Sequence, residues 1–484
     1  MLRRLIDSPW TYFALAGLLV LGTLVWMFDI RGASRHVGTI ESDLAKLRER
    51  QDVNVVFVLI DTLRADRLSS YGYARETSPN MDVIADNGVR FARAQSQSSW
   101  TKCSMASLWT GLFPQRSGVT RFDHALPDSA VMPAELFSKA GYTTAGIFRN
   151  GWVSSNFGFQ QGFDLYLKPM PRTDAAHVER KGRTEAQLAG TDEDVTLSAI
   201  EFLKTNQREK FLLYLHYMDV HQYVYDDAAA EQKFGDATIA NVYDRSIHWT
   251  DRNIAALIST LDTLDLSKRT IVVIAADHGE AFGEHGREGH ATDIHQEVVH
   301  VPLMFQLPFR VEGGLVVDSL VRNVDIWPTL LDLVGLPALP DTDGISLVPM
   351  MQAAARGEVV EAPPAHAYID QVWGQIEMEP KPLVGVQRDT QRVIYSKAKA
   401  NETLQVYDLA TDPGERRNLR KNPPAWSEEL RTQLDESFAW RKAPWGEGAS
   451  VELDEMELNQ LRALGYVVGE GQVGQDRVKE IEKK

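Results

Sequence analysis

Cysteine is almost absent from this chain: Cys103 stands alone among 484 residues. No internal disulfide can form, and paired cysteines at zinc-finger spacing are excluded. Basic residues are in deficit, with 51 Lys and Arg against 67 Asp and Glu and a formal net charge of -16. That excludes a general nucleic-acid binder, which needs a basic face. No internal repeat is present, so solenoids and propellers are excluded as well.

What is present begins with one long apolar run. Trp10 to Phe28, WTYFALAGLLVLGTLVWMF, carries no charge and is close to the roughly 20 residues that a membrane-spanning helix needs. Trp10, Tyr12 and Trp26 lie near its ends, as interfacial anchors do. Asp29, Arg31 and Arg35 follow it, not the small residues of a cleavage site. The expectation is a single-pass membrane protein: residues 1–9 cytoplasmic, an anchor at 10–28 in the lipid bilayer, a tether at 29–52, and the remainder extracytoplasmic, in a periplasm or its equivalent. Ile40 to Arg50 has helical charge spacing and reads as a short stalk helix.

From Val53 the texture is globular. Val53–Ile60, Thr143–Phe148, Phe211–Leu215 and Thr270–Ala276 are apolar runs of the kind found in parallel strands covered on both faces. Helical patterns lie between them: Asn80–Asn87, Pro133–Ala140, Val195–Lys204, Ile239–Leu261, and later Asp325–Val334. Alternating strands and helices make the fold class α/β, with a central mostly parallel sheet and helices on both faces over 53–360. Pro308 to Asn323 reads as irregular. Over 361–467, short candidate strands (Ala365–Ile369, Leu383–Val386, Arg392–Ser396, Gln405–Asp408) and a helix around Trp426–Trp440 predict a small antiparallel C-terminal subdomain. The tail at 468–484 reads as disordered. Lys168–Asp194 and Asp226–Asn241 are polar and poorly periodic, either pocket walls or solvated loops.

In open α/β sheets, ligands sit beyond the carboxyl ends of the strands. Asp61 follows the first strand, His216, Asp219 and His221 the third, and Asp277 and His278 the fourth. Three strand ends loaded with metal-competent residues point to one centre. Thr101 opens a helical run, SQSSWTKCSMASLWTG, whose N-terminus would face an anion, and Lys102 and Ser104 could add donors there. A hydroxyl needs a base, a positive field or a metal to act as a nucleophile. The expected arrangement is one divalent ion held by Asp61, Asp277, His278 and the Thr101 oxygen, with Thr101 as the attacking group. The mixed oxygen and nitrogen set favours Zn or Mn, with Ca also admissible.

Many blocks are familiar in order: IDTLRADRLSSYGY, TSPNMDVIADNGVRFARAQS, WTKCSMASLWTGLFPQRSGV, GYTTAGIF, FLLYLHYMDVHQYV, ADHGEAFGEHGREGH, VPLMF, DIWPTLLDLVGLP and VYDLATDPGERRNL. The chain resembles the sulfatase branch of the alkaline phosphatase superfamily over roughly Val53 to Val467. The resemblance implies an alkaline phosphatase-like α/β/α sandwich and a metal-dependent enzyme acting on sulfate or phosphate esters of small molecules, lipids or glycans, by hydrolysis or transfer. By position it makes Asp61, Asp277 and His278 metal ligands. It makes His221 and His290 contacts to the substrate oxyanion or leaving group, with His216 close to the set. Usual members carry formylglycine, made from a Cys or Ser followed by Pro and Arg. Here the position falls on Thr101, and Cys103 lacks both followers, so no formylglycine is expected. Thr62 stands where many members have a second Asp, and Arg149-Asn150 replaces a Lys-containing motif. A sulfuric ester hydrolase and an inactive, tethered binding protein are the alternatives.

Overall fold

Asn54–Ile60 (β1) is a run of apolar residues behind one Asn, all buried. A strand apolar on both faces belongs in the middle of a covered sheet. Burying each Val, Leu or Ile there stabilises the fold by about 1.5–3 kcal/mol. The structure, a computed structural model, describes residues 35–171, 179–180, 190–225, 228–235, 237–375, 377–398, 401–446 and 448–452. In chain order its main elements are α1 (Ile40–Glu49), β1, α2 (Pro79–Asp86), β2 (Val89–Gln95), α3 (Thr101–Thr110), β3 (Thr143–Phe148), β4 (Leu165–Leu167), α4 (Asp192–Thr205), β5 (Phe211–Tyr217), α5 (Ile239–Thr263), β6 (Thr270–Ala275), β7 (His300–Gln306), β8 (Leu315–Arg322) and α6 (Ile326–Leu333). One eight-stranded sheet runs in the order β8-β2-β7-β6-β1-β5-β3-β4. Its neighbours are parallel except where β7 pairs with β6 and β2. This is the mostly parallel sheet that the alternating pattern predicts.

Three strands escape that pattern. β2 carries Arg90 and Arg93, and β8 lies in the stretch that reads as irregular. β7 contains Pro302, which has no N–H to give a ladder. The pairing of β7 with β2 shifts register between Val301 and Leu303. The Tyr71 hydroxyl accepts from the Leu303 N–H at 2.9 Å and donates to the Phe91 carbonyl at 3.1 Å, bridging the break.

The C-terminal part is a four-stranded antiparallel meander of β9 (Ala365–Asp370), β10 (Pro382–Arg388), β11 (Gln391–Ala398) and β12 (Asn401–Asp408). Helix α7 (Trp426–Ser437) packs against it through buried Leu430 and Leu434. The meander is tied to the main body beside α3: the Tyr368 N–H donates to the Gln97 carbonyl at 2.9 Å.

A second seam holds two stacked histidines, His285 and His295, with ring centroids 3.7 Å apart. Their Nδ1 atoms lie 2.7 Å from Glu297 and 2.8 Å from Asp293. His285 Nε2 also meets the Glu415 carbonyl at 3.0 Å. Both nitrogens of His285 thus face acceptors, which only the imidazolium satisfies. The Glu297 hydrogen bond outweighs burial and pushes the His285 pKa up to about 9. A histidine pKa raised in the folded state stabilises fully below the unfolded value, roughly 6.5, and that stability is lost as pH rises toward the folded value. The melting temperature should therefore fall more steeply between pH 6.5 and 9 in the parent than in His285→Gln. Superimposable profiles in differential scanning calorimetry would remove His285 from this role.

Two expectations about the N-terminus change. No helix among the described residues is long and apolar enough to cross a membrane. That corrects the placement of the chain as a single-pass protein with an extracytoplasmic body; the run Trp10–Phe28 on which it rested lies outside the described residues, as does the tail at 468–484. Nor does Ile40–Glu49 stand free as a stalk. Ile40, Leu44 and Leu47 are buried against the body, α1 packs on α6, and Arg48 pairs with Asp332 at 3.3 Å. Just before it, Val37–Gly38 pairs in parallel with Arg310–Val311. Of the two expected pocket walls only parts are described, and α4 and α5 begin inside them.

Candidate active site

Four neighbouring parallel strands, β6, β1, β5 and β3, end on one side of the sheet, and each delivers polar groups there. β1 runs into Asp61, β6 into Asp277 and His278, β5 into His216 and onward to His221, and β3 into Arg149 and Asn150. The backbone after Asp61 turns through a left-handed Thr62, φ 62°, a conformation that a β-branched residue rarely adopts. The turn aims the Thr62 N–H at Asp277 Oδ1, 3.3 Å away, while the Thr62 hydroxyl donates to the Asp61 carbonyl at 2.6 Å.

Each carboxylate has one oxygen fixed and one bare. Asp61 Oδ2 accepts from Asn150 Nδ2 at 2.6 Å and from His216 Nε2 at 3.2 Å. Asp277 Oδ1 accepts from the backbone of Thr62 and from the His278 N–H at 3.0 Å. Asp61 Oδ1 and Asp277 Oδ2 are buried with no hydrogen-bond partner. His278 donates from Nδ1 to the Gly279 carbonyl at 3.0 Å, which leaves a lone pair on Nε2. That Nε2 lies 3.4 Å from Asp277 Oδ2 and 3.8 Å from Asp61 Oδ1. The three atoms lie within 4.8 Å of one another, and the two carboxylate oxygens among them have no donor, a cost that a cation removes. Electrostatics agree on Asp277: burial, then the Asp61 carboxylate, push its pKa above the ordinary carboxylate value. For Asp61 burial acts upward, but His221, His216 and His278 hold its carboxyl well below that value. The donor set fits one divalent ion.

Thr101 faces the same point, its hydroxyl 3.2 Å from His278 Nε2 and 3.4 Å from Asn150 Nδ2. It is the first residue of α3, not its cap; Trp100 occupies the cap position without a side-chain bond. The hydroxyl is therefore not spent on the helix end. Asp61, Thr101, Asp277 and His278 are wholly buried, whereas His221 is 7% exposed and the His290 side chain 11%. The centre opens on the side of these two histidines. His290 stacks on His278 with centroids 4.6 Å apart, lies 5.0 Å from His221, and sets Nδ1 3.3 Å from both oxygens of Glu280. Burial pulls the His290 pKa down, Glu280 outweighs it, and the net shift is upward. Burial takes His221 down to about 4.

Three expected substrate contacts are placed elsewhere. His216 is fully buried between Asp61 and the Tyr214 hydroxyl, 2.7 Å from its Nδ1, and so holds a carboxylate in place. Lys102 points away from Thr101, donates to the Phe122 carbonyl, and sits over the Phe157 ring at 4.0 Å and the Trp152 ring at 5.0 Å. Ser104 donates to the Asp277 carbonyl at 2.6 Å and braces the strand end. Cys103 is buried, its thiol pushed up to about 12 by burial. Asn150 and Glu280 are the residues that sequence reasoning missed. The strand before Asn150 was legible, and the pattern of loaded strand ends extends to it.

Comparison with known proteins accords with this geometry. The family profile "Sulfatase" matches residues 53–336, more than half of the chain, and "N-sulphoglucosamine sulphohydrolase, C-terminal" matches 283–442. The chain is 24% identical over 436 residues to a Delta 4,5-hexuronate-2-O-sulfatase of Bacteroides thetaiotaomicron, covering 78% of this chain and 87% of that protein. Among solved structures it is similar to a 2-O GAG sulfatase, with TM-score 0.66, 20% identity, and coverage of 88% of this chain and 100% of the other. It is also similar to a protein solved with its substrate D-glucosamine-2-N,6-O-disulfate, with TM-score 0.62, 19% identity, and coverage of 80% and 97%. These relatives correct the exclusion of formylglycine: they are sulfatases, whose ordinary cofactors are formylglycine and a divalent ion, and its absence here is withdrawn. The match of fold, block order and strand-end chemistry has one reading: the chain belongs to the sulfatase family of the alkaline phosphatase superfamily.

Proposed function

We propose that the chain hydrolyses a sulfate ester on a sugar, with the Thr101 hydroxyl as nucleophile beside one divalent ion held by Asp61, Asp277 and His278. The observation that carries this is the convergence of two bare carboxylate oxygens and His278 Nε2 on the point that Thr101 faces. A divalent ion there supplies positive charge to the sulfuryl oxygens and to the attacking oxygen. Thr101 Oγ1, whose proton the ion's charge would let pass to solvent, forms a bond to sulfur while the bond from sulfur to the ester oxygen breaks. His290, held by Glu280 at the open side, gives its proton to the departing sugar oxygen, and His221 lines the same opening. Water then attacks sulfur and gives a proton to the now neutral His290, the bond from sulfur to Thr101 Oγ1 breaks, and Oγ1 takes up a proton from solvent as sulfate leaves. The sugar is inferred from the relatives, whose names and bound substrate are sulfated uronic acids and glucosamine. The transferase half of the expectation has no counterpart among them, so the reading is hydrolysis.

Turnover of aryl sulfates in preference to aryl phosphates tests the reaction class. His290→Ala tests the acid: kcat should fall about 100-fold or more on an alkyl sulfate, which needs the proton, and far less on nitrophenyl sulfate. Equal losses on both leaving groups would remove His290 as the acid. Faster turnover of phosphates than sulfates would move the substrate class.

A further inference from the structure

We propose that Asn150 is a positioning residue for this reaction, its amide holding the Thr101 hydroxyl and Asp61 in one array; this rests on Thr101 as the nucleophile. Asn150 is fully buried at the end of β3. Its Oδ1 accepts from the Trp152 N–H at 2.8 Å and caps the turn Gly151–Val153. An oxygen committed to a backbone donor fixes which end of the amide is which. The NH2 group therefore faces the site, 2.6 Å from Asp61 Oδ2 and 3.4 Å from Thr101 Oγ1. The backbone before it is clamped too: Arg149 donates to Gln222 at 2.8 Å and pairs with buried Asp192 at 3.1 Å.

The arrangement does two things. Occupying Asp61 Oδ2 leaves Oδ1 bare, so the amide selects which oxygen is offered to a cation. A donor on Thr101 Oγ1 also fixes where the hydroxyl oxygen sits, 3.2 Å from His278 Nε2 and beside the bare carboxylate oxygens. The same donor faces Oγ1 when the Thr–sulfur bond breaks and negative charge returns to that oxygen. If Asn150 served only as a cap for the turn, aspartate would keep that cap through Oδ1, while setting an acceptor in place of the NH2 that faces Asp61 Oδ2.

The test uses the full chain with Asn150→Asp, Asn150→Ala and Thr101→Ala. Steady-state kinetics on an aryl sulfate are read beside calorimetric titration with Mn²⁺ and Ca²⁺ alone. Asn150→Asp should fold with its turn cap kept, melt below the parent because a further carboxylate oxygen faces Asp61, and keep KM while kcat falls about 100-fold, as expected for a lost transition-state donor. Asn150→Ala should lose as much and bind the ion about 10-fold more weakly, the usual effect of removing a partner of a metal ligand. A folded Asn150→Asp with parental kcat, beside an inactive Thr101→Ala, overturns the inference and leaves Asn150 a cap. If Thr101→Ala stays active, the nucleophile assignment falls instead. Ion binding then still decides the Asp61 half of the role, and unchanged affinity in Asn150→Ala overturns it.

Discussion

Thr101→Ala should lower kcat roughly a thousandfold or more, as loss of an attacking group does in enzymes with covalent intermediates. The structure makes the effect specific. The hydroxyl caps nothing, so its removal leaves the start of α3 as it was. What disappears is the oxygen 3.2 Å from His278 and 3.4 Å from Asn150. Thr101→Ser keeps that oxygen and should retain part of the activity. Mass measurement of the peptide spanning residues 97–116 belongs to the same experiment. An aldehyde on Cys103 or Ser104, or parental turnover in Thr101→Ala, would take the nucleophile away from Thr101.

The second large effect concerns the ion. Asp277→Asn keeps Oδ1 for the Thr62 and His278 N–H groups but turns the bare Oδ2 into a donor aimed at the cation. Changing a partner of a metal ligand usually costs 10–100-fold in affinity, and a direct ligand should cost about 100-fold or more. Stability should move oppositely with and without ion. After chelation the parent buries two carboxylates whose bare oxygens face one another, and the variant buries one. The chelated variant should therefore melt above the chelated parent. Added ion at 100 times its Kd should stabilise the parent by about 2.7 kcal/mol and the variant far less. Unchanged ion affinity with a lower melting temperature would make Asp277 structural.

Much of this was legible because the informative runs were strongly patterned. β1, β3, β5 and β6 are apolar enough to declare themselves, and the polar residues at their ends converge on one point. β2 and β7 were hidden by arginines and a proline whose effects are absorbed only in three dimensions: Arg90 lies over the Tyr71 ring, Arg93 donates to the Asp318 carbonyl, and the Tyr71 hydroxyl bridges the break at Pro302. Residue type alone also misassigned roles. Lys102 beside Thr101 has the charge of an anion contact, yet helix geometry turns it into an aromatic cage. His216 sits in line with His221, but strand alternation places it behind Asp61. The apolar run at Trp10–Phe28 was read as an anchor, and none of the described helices supports that reading.

The docking of α1 has a mechanical consequence. A force on the chain ahead of Thr39 enters the catalytic body through two paired residues at Arg310–Val311 and a helix whose Ile40, Leu44 and Leu47 are sunk into it. No free joint lies between Val37 and β1 apart from the short link at Arg50–Val53, and Arg50 is itself pinned to the Lys268 carbonyl at 3.0 Å. The body therefore turns as one piece with its leading segment. Whatever direction that segment takes at Val37, the mouth beside His221 and His290 points at a fixed angle to it.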